Sequence, residues 1–475
     1  MFKKQINIDL LILIITKGIQ VVLGLFSLRL LTEVLNAQQV GIFYILQTIT
    51  SLLAFGLLNP LGQYYSRHIV IWNERDKLKT ATVTLLLLRA ATIPVALLIS
   101  VAIYHIFNYS QYLGLIPYLT YIIVAMMALT YGVFLSATNI LIGRLPFAIY
   151  SVVTLLVALL ASILFTKLQA TALAWAYGTA LVQIVFAAHM FRKIVGNQKF
   201  QWAIIVKSLR ENYHIKVALF IAPVTITLFL QWGQNSLFRM ITENIYSIEI
   251  LAYIGVGVAL SSSVFSAAES LANQYYMPNY LREINNANEA KRAVAWNNIA
   301  KLLIPIYVAL TVYVMLFSSY IAKILLSDNF FSAYHYAVIG AVAELFRVIT
   351  NLLYLVSQSE INTKKTLLPY VLGVFFLFII LTFLDNEHDP SLVVTTLALV
   401  NFITMVFMYT QMKKLLHISI DFNIIKRMCL LLIPLLPVLY LENDKSVLIS
   451  ICLLGIGALY TASILYFCLT QSLTK

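Results

Sequence analysis

The chain has 475 residues, of which 61% are hydrophobic and only 11% charged, with a mean hydropathy of +0.89. A soluble globular chain carries about 25% charged residues, so water-soluble folds are excluded. The net charge of +13 comes from short basic bursts between apolar runs, not from one basic face or tail, and this excludes a nucleic-acid binder.

A membrane-spanning helix needs about 20 mainly apolar residues. Such runs begin near Ile8, Val40, Ala81, Pro117, Pro146, Thr171, Ile215, Ile250, Asn298, His335, Leu367, Pro390, Met428 and Ser446. The sequence therefore predicts an all-α polytopic membrane protein of about fourteen transmembrane helices. The first run, Ile8 to Leu31, is longer than a signal-peptide core of about 7–15 residues and lacks a small-residue cleavage site, so it reads as a retained span. The run from Met428 to Leu441 is short, which leaves thirteen or fourteen spans open. Cys429, Cys452 and Cys468 lie in the late apolar runs without zinc-site spacing, and read as small apolar side chains.

Lys and Arg concentrate in alternate loops: Lys3 and Lys4; Arg67, Arg75, Lys77 and Lys79; Arg144; Arg192 to Lys216; Arg282 to Lys301; and Lys364, Lys365, Lys413, Lys414, Lys426, Arg427 and Lys475. The opposite loops hold Lys167, Lys323 and Lys445. By the positive-inside rule the first set is cytoplasmic, and both termini are cytoplasmic with fourteen spans. The expected location is the bacterial inner membrane.

The chain repeats itself. At an offset of 210, Arg29-Leu30-Leu31-Thr32-Glu33 lies over Arg239-Met240-Ile241-Thr242-Glu243. At 211, Gln63-Tyr64-Tyr65 lies over Gln274-Tyr275-Tyr276, and Ile93-Pro94 over Ile304-Pro305. A shift of six helices keeps both halves in one orientation, the parallel-repeat arrangement. The expected organisation is an N-terminal six-helix lobe (1–195), a cytoplasmic basic linker (196–214) with an amphipathic stretch from Trp202 to Lys207, a second six-helix lobe (215–414), and two appended helices (415–475).

Ionisable side chains inside spans are candidate functional groups, because each is expensive to hold in hydrocarbon. They are Lys17 in the first helix, Arg89 in the third, Glu269 in the eighth, and Glu344 with Arg347 in the tenth. Lys17 and Arg89 have no opposite charge on their own helices. With Arg347 they would make a cationic pocket suited to an anionic headgroup, since a guanidinium makes paired charge-assisted hydrogen bonds with phosphate. Glu344 and Arg347, three residues apart, also suit mutual neutralisation. Arg29 and Arg239 suit substrate binding, snorkelling to the interface, or a helix-end salt bridge with Glu33 and Glu243. Glu269 or Glu344 could carry a proton or sodium ion. Tyr64, Tyr65, Tyr275 and Tyr276 at inner helix ends read as an interfacial belt. Pro60, Pro94, Pro223 and Pro305 supply bending points.

No phosphate loop or H-E-x-x-H motif occurs, so an enzyme is not expected, and neither is a cofactor or a metal. The turn Leu384 to Pro390, with His388 between carboxylates, reads as a solvated turn.

The first helix and its loop carry a resemblance: Lys17-Gly18 at mid-helix, Leu30-Leu31-Thr32 at its end, then Leu35-Asn36-Ala37-Gln38-Gln39-Val40-Gly41-Ile42-Phe43. This resembles the polysaccharide-exporter family of the multidrug/oligosaccharidyl-lipid/polysaccharide exporter superfamily, which includes the O-antigen and capsule repeat-unit flippases. Asn36 stands where Gly is usual and Val40 where an aromatic is usual. The resemblance implies a V-shaped two-lobe transporter of lipopolysaccharide or polysaccharide biosynthesis. Its cargo would be undecaprenyl-pyrophosphate-linked oligosaccharide, carried from the cytoplasmic to the periplasmic leaflet through a cationic cavity. A polysaccharide polymerase and a chain-length regulator would be partners. The alternatives are a cation-coupled multidrug antiporter of the same superfamily, which would keep carboxylates in the first half, and a membrane-embedded polymerase, which would carry a longer outer loop.

Overall fold

The computed structural model describes residues 2–196, 206–207, 209, 215–285, 287–360, 362–441 and 446–473, and these residues form helices joined by short turns, without a strand. Six long helices come first: α1 (Phe2–Val34), α2 (Ala37–Glu74), α3 (Leu78–Ile106), α4 (Leu115–Leu141), α5 (Arg144–Leu168) and α6 (Ala172–Val195). Then follow α7 (Ile215–Ile245), α8 (Ile248–Ile284), α9 (Glu289–Leu325), α10 (Tyr334–Ser359), α11 (Leu367–Thr382) and α12 (Ser391–Lys413). The last two are α13 (Phe422–Tyr440) and α14 (Val447–Leu473).

Among the described residues, thirteen of these segments are long and apolar enough to cross a membrane. The remaining helix, α7, has 31 residues, about 46 Å at 1.5 Å per residue, and occupies the place of the seventh predicted span. Large apolar side chains on their outer faces, such as Leu98, Ile116 and Leu459, are more than 70% exposed within the chain. A bilayer is the solvent that accepts such a surface. The protein is a multi-pass membrane protein. The linker expected at 196–214, with the amphipathic stretch at 202–207, falls largely outside the described residues.

The chain forms two compact units, one of Met1–Leu23 with Gln38–Met240, the other of Gly24–Ala37 with Ile241–Lys475. The end of α1 thus belongs with the second unit and most of α7 with the first. In unit 1, α7 is fastened to α2 by Trp232, whose Nε1 donates to the Thr48 carbonyl and to Ser51 Oγ, both at 3.1 Å. Arg239 lies over the Tyr44 ring at 5.2 Å. In unit 2, Ser327 after α9 donates Oγ to the Thr32 carbonyl at 2.7 Å and its backbone N–H to Thr32 Oγ1 at 3.1 Å. Of the two R-x-x-T-E segments that repeat in sequence, the first is thus docked by hydrogen bonds at Thr32 and the second places Arg239 over an aromatic ring.

Small residues set the helix approaches, as is usual where helices pack in lipid. A Cβ on Gly178 of α6 would meet the Ser162 backbone of α5 at 2.5 Å, and Ser162 Oγ donates to the Trp175 carbonyl at 2.8 Å. In unit 2, Gly257 of α8 faces the Ala333 carbonyl and Ser261 Oγ donates to the Ala337 carbonyl at 2.7 Å, bringing α8 onto the central α10. Arg292 and Glu360 close α9 onto the far end of α10 with two 2.8 Å hydrogen bonds.

Tyr65 departs from the expected belt. It is fully buried, packed with Ile69, Trp72 and Leu85, and its hydroxyl is 2.7 Å from Thr82 Oγ1. A phenol can be buried when its hydroxyl finds a partner, and Thr82 on α3 supplies one. Its repeat-related counterpart Tyr276 packs edge-on against the exposed Tyr275.

Three spans of unit 1 are interrupted. In α2 a π-helical turn at Ala54–Leu58 separates Ala37–Leu53 from Asn59–Glu74. Pro60 cannot donate to the carbonyl of Gly56, and the backbone ladder slips here, with the Asn59 N–H reaching the Ala54 carbonyl. In α3 the break is at Thr92, two residues before Pro94, and in α4 it is at Leu129.

Candidate substrate site

Lys17 lies within α1, half-buried, and has no hydrogen-bond or ion-pair partner among the described residues. Arg89 is the last basic group of the first half of α3 and is 4% exposed. Its Nη2 donates to the Leu129 carbonyl at 3.2 Å, while Nε and Nη1 are buried without a partner. An isolated charge at this depth costs from about 2.5 to over 10 kcal/mol depending on the measure, and no carboxylate offsets it. The described residues of unit 1 carry three carboxylates, Asp9, Glu74 and Asp76. Glu74 closes α2 and Asp76 stands in the turn after it. Among the described side chains, the charges at mid-span in unit 1 are thus the cations Lys17 and Arg89, with no carboxylate beside them.

In unit 2 the structure brings together Glu269, Glu344 and Arg347. Arg347 Nε donates to Glu344 Oε2 at 2.7 Å and Nη1 to Glu269 Oε2 at 3.1 Å. Asn351, one turn further along α10, donates Nδ2 to Glu269 Oε1 at 2.7 Å. All three charged side chains are largely buried, and the buried Tyr307 of α9 stands within their field. One guanidinium between two carboxylates leaves the cluster with a formal charge of −1. The sequence displays the Glu344–Arg347 spacing. It cannot display Glu269 or Asn351 as partners, because they come from another helix and from the next turn.

Arg29 sits in unit 2, donating Nη1 to the Leu326 carbonyl and, at 3.4 Å, to the Lys323 carbonyl, with Glu33 at 3.6 Å. Arg239, in unit 1, faces Tyr44. Both outer-end arginines are thus engaged with protein groups. In the turn between α11 and α12, His388 Nδ1 is 2.7 Å from Asp385 Oδ1, and this hydrogen bond, with one from the Glu387 N–H, holds the exposed Asp385 carboxyl below its ordinary range. Among the described residues no cluster of three or more His, Cys, Asp or Glu is placed to hold a metal.

No family model and no curated protein matches the sequence. Solved structures do match the fold. The lipid II flippase MurJ in its inward closed conformation superposes with a TM-score of 0.70 at 15% identity, covering 97% of this chain and all of that one. An inward-facing multidrug resistance MATE family transporter of the MOP superfamily gives 0.59 at 13%, covering 84% of this chain and 95% of the other. A MOP superfamily transporter from Pyrococcus furiosus, described as having a binding pocket of reverse polarity, gives 0.58 at 14%, covering 85% and 94%. The chain shares the fold of these three structures.

Proposed function

We propose that the protein is a flippase that moves undecaprenyl-pyrophosphate-linked oligosaccharide from the cytoplasmic to the periplasmic leaflet by alternating access. The observation that carries this reading is the state of Arg89: a buried guanidinium with two unpartnered nitrogens and no described carboxylate beside it. Such a charge is maintained against a large desolvation cost. An anionic cargo gives that cost a purpose, since the field of a fixed cation in a low-dielectric site acts strongly on a phosphate. Lys17, unpartnered at mid-span, is the second cation of this reading. The neighbour that covers 97% of this chain is itself named as a lipid II flippase, whereas the MATE neighbour covers 84% of it.

In this scheme the Glu269–Arg347–Glu344 cluster, with one carboxylate in excess, takes the coupling role, and Arg29 and Arg239 hold helix ends. A cation-coupled multidrug antiporter is the second reading, favoured by that same excess carboxylate. Unit 1 argues against it, because a cationic drug would meet Lys17 and Arg89 with no carboxylate at mid-span among the described residues.

The test is a charge series, Lys17→Glu and Arg89→Glu, in cells lacking the native protein, with membrane abundance measured alongside. The expected result is loss of surface polysaccharide and accumulation of lipid-linked repeat units on the cytoplasmic side at normal abundance. Normal polymer from both variants would overturn the cationic site.

A further inference from the structure

Unit 1 contains an open cleft of about 480 Å³ between α2, α4 and α7, within the range of ligand pockets. Its α2 wall presents Asn59, Gln63, Ser66 and Arg67. These positions follow at i, i+4, i+7 and i+8, which is one face of a helix. A polar face of this length lies within a segment that is otherwise apolar enough to cross a membrane, and such a face needs water or a polar ligand to satisfy it. The face begins directly after the π turn at Ala54–Leu58. Turns of this kind shift the register of the helix beyond them and occur often at functional sites.

The opposite wall is built to leave space. A Cβ on Gly62 of α2 would come within 3.0 Å of Val133 Cγ2, so α2 and α4 approach closely at that point. A Cβ on Gly132, one residue away on α4, would meet nothing within 4 Å. Ser136 adds a hydroxyl, and no carboxylate lines the cleft. Leu129, whose carbonyl holds the Arg89 guanidinium, is part of the same wall. The cleft therefore has one guanidinium, Arg67, on its surface and a second, uncompensated one behind its lining.

We infer that this cleft receives the phosphate-bearing saccharide head of the cargo. Carboxamides and hydroxyls match sugar hydroxyls, the Arg67 fork matches a phosphoryl group, and the Arg89 field favours an anion without touching it. Arg67 precedes the basic group Arg75, Lys77 and Lys79, so by the positive-inside rule the cleft opens on the loading side. The inference rests on the flippase reading and adds the residues that hold the head.

The experiment uses the full chain in lipid nanodiscs and calorimetric titration with three probes: a ten-carbon prenyl diphosphate bearing one N-acetylhexosamine, the same prenyl diphosphate without sugar, and inorganic pyrophosphate. Gly132→Leu should fill the cleft and weaken the sugar-bearing probe at least tenfold. Arg67→Gln should weaken both prenyl diphosphates about equally. Gln63→Leu should weaken the sugar-bearing probe alone. Gln63 and Arg67 are exposed, so these two variants decide the matter if Gly132→Leu fails to fold. Wild-type binding that all variants retain would overturn the cleft and leave the flippase reading standing. Absence of binding of either prenyl diphosphate to the wild type would overturn the flippase reading and the cleft with it. Pyrophosphate binding as tightly as the sugar-bearing probe would overturn the saccharide assignment in favour of a free-phosphate site.

Discussion

Arg89 and Leu129 join two broken helices at their breaks. The guanidinium ends the first half of α3, three residues before the interruption at Thr92, and its Nη2 reaches the carbonyl of the residue at which α4 is interrupted. A backbone carbonyl satisfies one donor and leaves the charge itself uncompensated. Arg89 is thus held in place by a bond that does nothing to neutralise it.

This relationship predicts an inversion of the usual effect of a buried substitution. Arg89→Met removes one charged hydrogen bond, worth about 1.5–3 kcal/mol. It also removes an unpaired buried charge whose effective burden is several kcal/mol. Thermal unfolding in detergent should therefore show the variant as stable as the wild type or more so, by up to about 2 kcal/mol, while flipping falls more than tenfold. A strongly destabilised variant would mean that a hidden counter-charge already neutralises Arg89.

The unit 2 cluster should behave in the opposite sense. Arg347→Gln leaves Glu269 and Glu344 together without a cation, and breaking a buried pair in this way costs about 3–5 kcal/mol. Glu344→Gln leaves a one-to-one pair between Arg347 and Glu269, whose atoms are 3.1 Å apart, and should cost about 1 kcal/mol. In a double-mutant cycle followed by unfolding, Arg347→Gln with Glu344→Gln should be more stable than Arg347→Gln alone. Additive losses would show that the three groups are not coupled.

The spans were legible because a bilayer imposes one strong rule, a run of about 20 apolar residues, and each predicted run coincides with a helix. Arg89 and Lys17 were legible for the same reason, as charges where charge is expensive. What stayed hidden depends on contacts between segments far apart in sequence. Leu129 gives no sign that its carbonyl will hold a guanidinium. Asn59 and Ser66 carry no signal in the sequence and Gln63 stands out only in the repeat, because the π turn that precedes them leaves no signature in Ala54-Phe55-Gly56-Leu57-Leu58. Tyr65 looks interfacial until Thr82 of the next helix is seen to bond it.

Two glycines separate close packing from open space. A Cβ on Gly178 would meet backbone atoms of α5 at 2.5 Å, and backbone cannot swing aside as a side chain can. Gly178→Ala should cost about 1–3 kcal/mol through overpacking. Gly455 in α14 has nothing within 4 Å of a Cβ, so Gly455→Ala should be neutral or stabilise by about 1 kcal/mol through helix propensity. Parallel melting curves check both. Equal effects would mean that α5 and α6 are further apart than the Gly178 contact requires.

Thr32 tests the docking at the end of α1. It is 2% exposed, and its Oγ1 accepts the Ser327 N–H at 3.1 Å while its carbonyl accepts Ser327 Oγ at 2.7 Å. Thr32→Val keeps the volume and removes the acceptor, leaving a backbone donor without its partner, at a cost of about 1–3 kcal/mol. Ser327→Ala removes only a hydroxyl donor from a carbonyl and should cost about 1 kcal/mol or less. Thr32→Ser keeps the oxygen and should lie nearest the wild type. The order Thr32→Val, Ser327→Ala, Thr32→Ser in decreasing loss of melting temperature follows from the hydrogen bonds alone. If Thr32→Val melts with the wild type, water takes the place of Oγ1 at the Ser327 N–H, and this end of α1 is held instead by Arg29 on the carbonyls of Lys323 and Leu326.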